Sequence, residues 1–318
     1  MALPRVLCMH DVSAYPESLD PLRGVAEVVC EKADQARLVE IIGEFDAYVA
    51  SLHVRVNADV LANARRLKVI ATSSTGLDHL DVELCGRKGV EILSLKHDTD
   101  FLKDITSTAE LAFGLLLGVV RRIPWAFDAA KQGFWARDVF RGHQLSGKTY
   151  GVLGVGRLGT ISAQYAQAFR MKVLGCDLKR IELPFVEQVD LDTLLRRSDI
   201  VTIHVHLSDE TRGMIGRREF GLMKPGAVLI NTSRGAIVDE GAMVEALESG
   251  RLAGAGVDVI DGEWDKDLYN HPLIRYARTH DNLLIVPHVG GVTLEAQAAA
   301  IRHTAEKLRR FLAGGERR

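Results

Sequence analysis

Three segments in the second half of the chain carry side chains able to do acid–base and ionic chemistry. Leu229-Ile-Asn-Thr-Ser-Arg234 ends in a guanidinium. Ala253-Gly-Ala-Gly-Val-Asp258 ends in a carboxylate, with Glu263 shortly after. Leu283-Leu-Ile-Val-Pro-His288 ends in an imidazole. Each is an apolar run with polar residues at or just past its end, the pattern of a parallel strand and its carboxyl-terminal loop. Open α/β sheets bind ligands at those ends, so Arg234, Asp258, Glu263 and His288 are expected to converge. Together they suit hydride transfer at a carbonyl beside a carboxylate. Arg234 can grip the carboxylate with two parallel hydrogen bonds and polarise the neighbouring carbonyl. His288 can protonate the developing alkoxide or, in reverse, take the hydroxyl proton. Glu263 can hold one imidazole nitrogen and favour the charged ring. Taken singly, each has an ordinary alternative: a phosphate contact, a solvated loop charge, a satisfied loop histidine. Their joint occurrence at successive strand ends is the signal.

A hydride needs a carrier, and the chain offers a place for one. Gly151-Val-Leu-Gly-Val-Gly-Arg-Leu-Gly159 is an apolar strand running into three glycines and a helix, and Asp177 follows at the end of the next apolar run. This is the dinucleotide-binding fingerprint in its required context. Gly154 permits the tight turn, Gly156 lets the backbone approach a pyrophosphate, and Gly159 allows close helix–strand packing. The helix N-terminus is suited to phosphate, and Arg157 lies in the same turn. Asp177 would accept from the adenosine ribose hydroxyls and repel a 2′-phosphate. That favours NAD, although Lys179 and Arg180 follow closely.

The elements that must position these groups form two alternating series. Arg5–Met9, Glu27–Cys30, Ala47–Ala50, Lys68–Ala71 and Glu91–Leu93 read as strands. Gln35–Glu44, Val60–Arg66 and Val82–Lys88 between them have helical spacing. This rhythm implies a parallel sheet with crossover helices. Ser107–Val120 is an apolar helix leading to a second series of six strands: Tyr150–Leu153, Lys172–Cys176, Ile200–Val205, Ala227–Asn231, Gly256–Val259 and Leu283–Val286. The apolar positions of Thr293–Leu312 (Leu294, Ala298, Ile301, Ala305, Leu308 and Leu312) keep to one helical face. That helix is expected to return to the first domain. The fold class is therefore α/β, two doubly wound parallel-sheet domains: a discontinuous one from residues 1–100 and 291–318, and a Rossmann nucleotide domain from 101–290. The tail Gly314–Arg318 is expected to fray.

With 318 residues, 47% hydrophobic and 26% charged, the composition is that of a globular protein. A formal net charge of −2 gives no bulk attraction to nucleic acid or acidic membranes. Cys8, Cys30, Cys85 and Cys176 form no CxxC pair, so no metal site is expected. No leader segment opens the chain, and the longest apolar run is too short for a bilayer. A cytoplasmic location with no membrane partner fits.

Gly133-Phe-Trp135, Leu145-Ser-Gly-Lys-Thr149, Gly151 to Gly159, Ser198-Asp-Ile-Val201 with His204, Met223-Lys-Pro-Gly226, Ile230 to Gly235 and Pro287-His-Val-Gly-Gly291 occur in this order. On these motifs, covering nearly the whole chain, the protein resembles the D-isomer-specific 2-hydroxyacid dehydrogenases. The resemblance implies a flavodoxin-like substrate domain beside the NAD-binding domain, a homodimer, and a small 2-oxo or 2-hydroxy acid as partner. It makes Arg234, Glu263 and His288 the catalytic trio and Asp258 a contact to the nicotinamide. Leu158, His204, His206, Thr211, Thr232, Ser233 and Gly290 join the glycine turn, Arg157 and Asp177 as cofactor contacts. The loop Ser74-Thr-Gly-Leu77 (Ser74, Thr75, Gly76, Leu77) would hold the substrate carboxylate, together with Arg234 and His288.

The chain departs from the family pattern at Ser94 and Lys96, where Asn and Pro are usual, and at His206 and Trp264, where proline is common. The loop His97–Asp104 looks long, and Lys96 and Lys103 are available there for an anionic substrate. The chain ends soon after the terminal helix, so the added regulatory domain of longer phosphoglycerate dehydrogenases is not expected. An NADH-sensing corepressor-like binding protein of the same fold is the alternative from a different class.

Overall fold

The computed structural model describes residues 2–264 and 267–314; apart from Gly314, the tail expected to fray lies outside them. The chain divides into two compact units, residues 1–105 with 293–318, and residues 106–292. The first begins with the strands β1 (Arg5–Cys8) and β2 (Glu27–Cys30), then α1 (Gln35–Ile41), β3 (Ala47–Ala50), α2 (Ala58–Asn63), β4 (Val69–Thr72), α3 (Val82–Arg87), β5 (Glu91–Leu93) and the single turn α4 (Thr99–Leu102). Its sheet is parallel in the order β2-β1-β3-β4-β5, the flavodoxin-like arrangement. Successive strand side chains point to opposite faces, so Leu7 packs with Leu38, Val60 and Leu61, whereas Val6 and Cys8 pack with Leu22, Ala305 and Leu308. Asp34, Asn57 and Asp81 cap α1, α2 and α3 through their side-chain oxygens.

The second unit contains α5 (Ser107–Val120), α6 (Ile123–Lys131), β6 (Thr149–Leu153), α7 (Arg157–Ala168), β7 (Lys172–Cys176), β8 (Val186–Gln188), α8 (Leu191–Arg197), β9 (Ile200–Ile203), α9 (Arg217–Leu222), β10 (Ala227–Asn231), α10 (Glu240–Glu248), β11 (Leu252–Val257), α11 (Pro272–Ala277) and β12 (Leu283–Ile285). Its sheet is also parallel, ordered β12-β11-β10-β9-β6-β7-β8. Counted from β6, this is the dinucleotide-fold order with one further strand beyond its sixth. The strand order reverses between β6 and β9, and the glycine turn follows β6 at that switch point. The sheet has seven strands where six were expected. The addition is β8, a three-residue edge strand with only Val186 buried, too short and polar to stand out. Two apolar clusters cover the faces, one including Leu229, Ile203 and Leu273, the other Leu116, Val152 and Ala163.

The last helix, α12 (Leu294–Leu312), belongs to the first unit and packs on the Pro16–Leu22 turn, β4 and β5. Ile301, Ala305 and Leu308 are buried there, whereas Leu294, read onto the same face, is largely exposed. Among the described residues, no helix is long and apolar enough to cross a membrane.

Candidate active site

The histidine sits on a strained piece of backbone. After β12, His288 adopts φ 52°, the left-handed region a non-glycine residue enters only when its surroundings hold it. Asp258, immediately after β11, supplies the hold. Its carbonyl accepts from the His288 N–H at 2.8 Å, and its carboxylate accepts from Val289 N–H (2.6 Å) and Gly290 N–H (2.9 Å). The carboxylate is buried, which raises it above the ordinary carboxylate range against the opposing pull of those two N–H groups. Gly290 is required because a Cβ there would lie 2.8 Å from Asp258 Oδ2. The sequence reading gave Asp258 only a cofactor role, yet here it shapes the histidine turn. Its two oxygens retain further lone pairs for a ligand.

His288 Nδ1 meets Glu263 Oε1 at 2.7 Å, with both side chains mostly buried. Glu263 Oε2 is sealed from solvent and has no hydrogen-bond partner among the described residues. The indole of Trp264 lies over the imidazole, ring centroids 5.9 Å apart and 26° from parallel. With Glu263 on Nδ1, Nε2 is left as the nitrogen able to exchange a proton with a ligand.

Arg234 follows β10, the strand beside β11. Asn231, at the end of β10, donates from Nδ2 to the Arg234 carbonyl (2.9 Å) and accepts from the Ser233 N–H (3.0 Å). Arg234 Nη1 donates to the Ser233 carbonyl at 2.8 Å. Gly235 packs backbone to backbone on Ile260 and Asp261, where a Cβ would overlap both. The structure thus joins Asp258, Glu263 and His288 through direct hydrogen bonds. It ties Arg234 to them through Asn231 and Gly235, which lie in the Ile230 to Gly235 motif but had been given no role of their own. A signal for Gly235 existed in the run Ser233-Arg-Gly235, but not in any periodicity.

The glycine turn has the form a dinucleotide needs. Gly154 has φ 89°, and a Cβ there would come within 2.8 Å of the Val205 nitrogen. A Cβ on Gly159 would overlap the Gly154 carbonyl oxygen, whereas one on Gly156 would enter open space, the side from which a diphosphate can approach. Gly156 is the N-cap of α7 and offers no side chain to occupy that helix end. Burial pulls the Arg157 guanidinium below its usual value, and Leu158 beside it is half-buried. Asp177 accepts from Val155 N–H (2.7 Å) and Lys179 N–H (2.9 Å), one on each oxygen, leaving lone pairs for ribose hydroxyls.

Neighbouring strand ends add polar groups. His204 follows β9, holds Thr202 Oγ1 at 3.0 Å through Nε2, and leaves Nδ1 buried without a partner among the described residues. Burial pushes this ring down to about 4. Thr232 Oγ1 is likewise buried and unpartnered, while Ser233 Oγ donates to the Ile203 carbonyl at 2.9 Å. His206 is exposed, and Thr211 is engaged in its own turn, donating to the His206 carbonyl at 2.6 Å. Buried, unpartnered polar atoms beside an open glycine turn are what a polar ligand would satisfy. The donor set fits NAD.

The first unit places Ser74, Thr75, Gly76 and Leu77 in a half-buried loop after β4, where Ser74 Oγ accepts from Gly76 N–H at 3.1 Å. Lys96 and Lys103 are exposed at either end of the α4 segment. That segment is pinned, not slack. Asp98 meets Lys307 Nζ at 2.7 Å and His303 Nε2 at 3.1 Å, and Phe101 stacks on His303 at 4.1 Å.

Residues 113–290 match the family model for the NAD-binding domain of D-isomer specific 2-hydroxyacid dehydrogenases. A glyoxylate reductase of Thermococcus litoralis is 38% identical, over 96% of this chain and 88% of that one. A D-3-phosphoglycerate dehydrogenase of Methanocaldococcus jannaschii is 37% identical over 94% of this chain. The match spans only 56% of that protein, so this chain covers about half the length of some curated relatives. Among solved structures, the D-lactate dehydrogenase of Aquifex aeolicus complexed with NAD and lactic acid superposes with a TM-score of 0.86 at 27% identity, covering 98% of this chain and 96% of that one. The chain belongs to the D-isomer specific 2-hydroxyacid dehydrogenase family.

Proposed function

We propose that the protein interconverts a 2-oxo acid and its D-2-hydroxy acid with NAD(H), using His288 as the acid and base. The observation that carries this reading is the His288–Glu263 pair on a backbone turn fixed by Asp258, at the same sheet edge as the glycine turn. When bound, the nicotinamide supplies the hydride in reduction and accepts it in oxidation. Arg234 grips the substrate carboxylate and draws electron density from the adjacent carbonyl. His288 delivers its Nε2 proton to the carbonyl oxygen as charge develops there, and Glu263 stabilises the ring while it is charged. In oxidation Nε2 takes the hydroxyl proton back. Trp264 and the buried side of the pair keep water from the imidazole face.

The cofactor contacts are Gly154, Gly156, Arg157, Gly159 and Asp177, with His204 and Thr232 supplying unspent donors. A homodimer fits the exposed apolar side chains of one segment: Ile123, Phe127, Phe134, Trp135 and Val139. The direct test is NADH oxidation with glyoxylate, hydroxypyruvate, pyruvate, phosphohydroxypyruvate and a branched oxo acid. At least one should turn over. In His288→Ala, turnover should fall roughly 10²- to 10⁴-fold while NADH still binds. Inertness of the native protein toward every oxo acid would reject the reading, and near-normal turnover of the variant would remove His288 from it.

A further inference from the structure

The turn carrying Glu263 is gripped by a second carboxylate–histidine pair. The Asp261 side chain is exposed, yet both of its backbone polar groups are taken. Its N–H donates to Glu240 Oε1 at 2.8 Å, and its carbonyl accepts from His271 Nε2 at 3.0 Å. His271 Nε2 also lies 3.2 Å from Glu240 Oε2, so both side chains converge on one residue. The imidazole is oriented from its other side, where Nδ1 accepts from the Leu273 N–H at the start of α11 (3.3 Å). An accepting Nδ1 assigns the proton to Nε2, the nitrogen that must donate to Asp261. Both side chains are nearly buried, 13% exposed for Glu240 and 12% for His271.

An acidic residue in the first turn of a helix usually needs no explanation beyond the helix dipole. Here the capping work is done by Asp239, whose side chain accepts from the Ala242 N–H. Glu240 instead reaches across to Asp261, and burial raises its carboxyl above the usual range, a cost that a solvated dipole partner would not bear. On another side the same turn rests on Gly235, which tolerates no Cβ against Ile260 and Asp261. One short stretch, 234–240, therefore presents Arg234, packs against the Glu263 turn through Gly235, and fastens that turn through Glu240.

We propose that Glu240, acting with His271, is the positioning residue that sets Glu263 against His288. The side chain fixes the backbone two residues before Glu263. The role rests on the His288–Glu263 chemistry proposed above, and the experiment separates the two.

The test is a double-mutant cycle on kcat for the best oxo acid, with NADH affinity measured by titration in each variant. Glu240→Ala should lower kcat by about tenfold or more, as loss of an orienting partner does, with NADH Kd changed less than about twofold. Glu240→Gln keeps an oxygen able to accept from Asp261 and should recover kcat to within about threefold of native. In a Glu263→Gln background, Glu240→Ala should cost less than about twofold, because the group it positions is already disabled. A purely structural role would instead lower the melting temperature and give losses that multiply. Should Glu240→Ala fail to fold, Glu240→Asp, one methylene short of Asp261, carries the same cycle. Multiplying losses, or native kcat in Glu240→Ala, overturn the role of Glu240 alone. Native kcat in Glu263→Gln overturns the underlying acid–base reading as well.

Discussion

Two parallel sheets built from the same kinds of element finish their strands differently. At the carboxyl ends of the second unit, Glu263 Oε2, His204 Nδ1 and Thr232 Oγ1 are buried and unpartnered among the described residues. At the corresponding ends of the first unit, polar groups are spent on one another. His10 Nε2 holds the Ala50 carbonyl at 2.6 Å and lies 3.3 Å from Ser73 Oγ; Ser74 closes on Gly76; Asp98 is consumed by Lys307 and His303. A buried orphan costs about 1–3 kcal/mol, so a fold keeps several at one edge only where something returns the hydrogen bonds. At its strand ends the first sheet spends these polar groups within itself, whereas the second keeps several buried ones unspent.

Glycine substitution gives the largest contrast between the two. Gly159→Ala drives a methyl into the Gly154 carbonyl, backbone against backbone, so the turn must shift. NADH affinity should drop by roughly a hundredfold or more, since a turn displaced by about 1 Å no longer aligns its donors. Gly86→Ala, inside α3 of the first unit, meets open space at an ordinary φ. It should leave NADH binding unchanged and add about 0.5–1 kcal/mol of stability in urea unfolding. Native NADH affinity in Gly159→Ala would show that the turn does not hold the cofactor.

What the sequence disclosed follows from what burial leaves in it. Val69–Thr72 and Ala227–Asn231 are buried at every position, and such strands read as continuous apolar runs. Arg234 could be placed for the same reason, whereas Asp258 and His288 follow apolar runs, β11 and β12, that are less fully buried. β8 escaped notice because Val186 is followed by Glu187 and Gln188, which leaves no apolar run to read. The one-turn helix α4 escaped because its stability comes from His303 and Lys307, about two hundred residues away in sequence. The left-handed backbone of His288 is imposed by Asp258, and no local residue preference announces it. Glu240 and His271 were missed for a plainer cause: their targets are main-chain atoms, which are the same in every sequence.

Two histidines that burial pulls down sharpen the comparison at acid pH. His10 is pulled down by burial, but its bond to the Ala50 carbonyl pulls back. His204 has no such compensation, and burial pushes it from 6.5 to about 4. A ring kept neutral by the fold but free to charge when unfolded gives full stability above its unfolded value. That stability is lost as pH falls from about 6.5 toward about 4. The loss by about pH 4.5 should be about 2–3 kcal/mol from this residue. Urea midpoints at neutral pH and about pH 4.5 should therefore fall further in the native protein than in His204→Asn. Equal falls would mean that His204 is not held neutral.

The smallest effect tests a place where the first unit leaves charge unspent. Lys96 and Lys103 are exposed and form no ion pair among the described residues, whereas Lys307 nearby is fully engaged by Asp98 and the Ser94 carbonyl. Replacing both by alanine makes a chain of formal net charge −2 two units more negative. Through the field of the whole surface, this should slow capture of a multiply charged anion more than a monoanion. At low salt, kcat/KM for phosphohydroxypyruvate should fall about two- to fivefold and that for glyoxylate by less than about twofold, with the difference screened away near 0.5 M salt. The same substitutions should cost no more than about 0.5 kcal/mol of stability, as exposed lysines without partners contribute little. A difference that persists at high salt would mean direct contact with the phosphate rather than a field. No difference at any salt would make Lys96 and Lys103 indifferent to substrate charge.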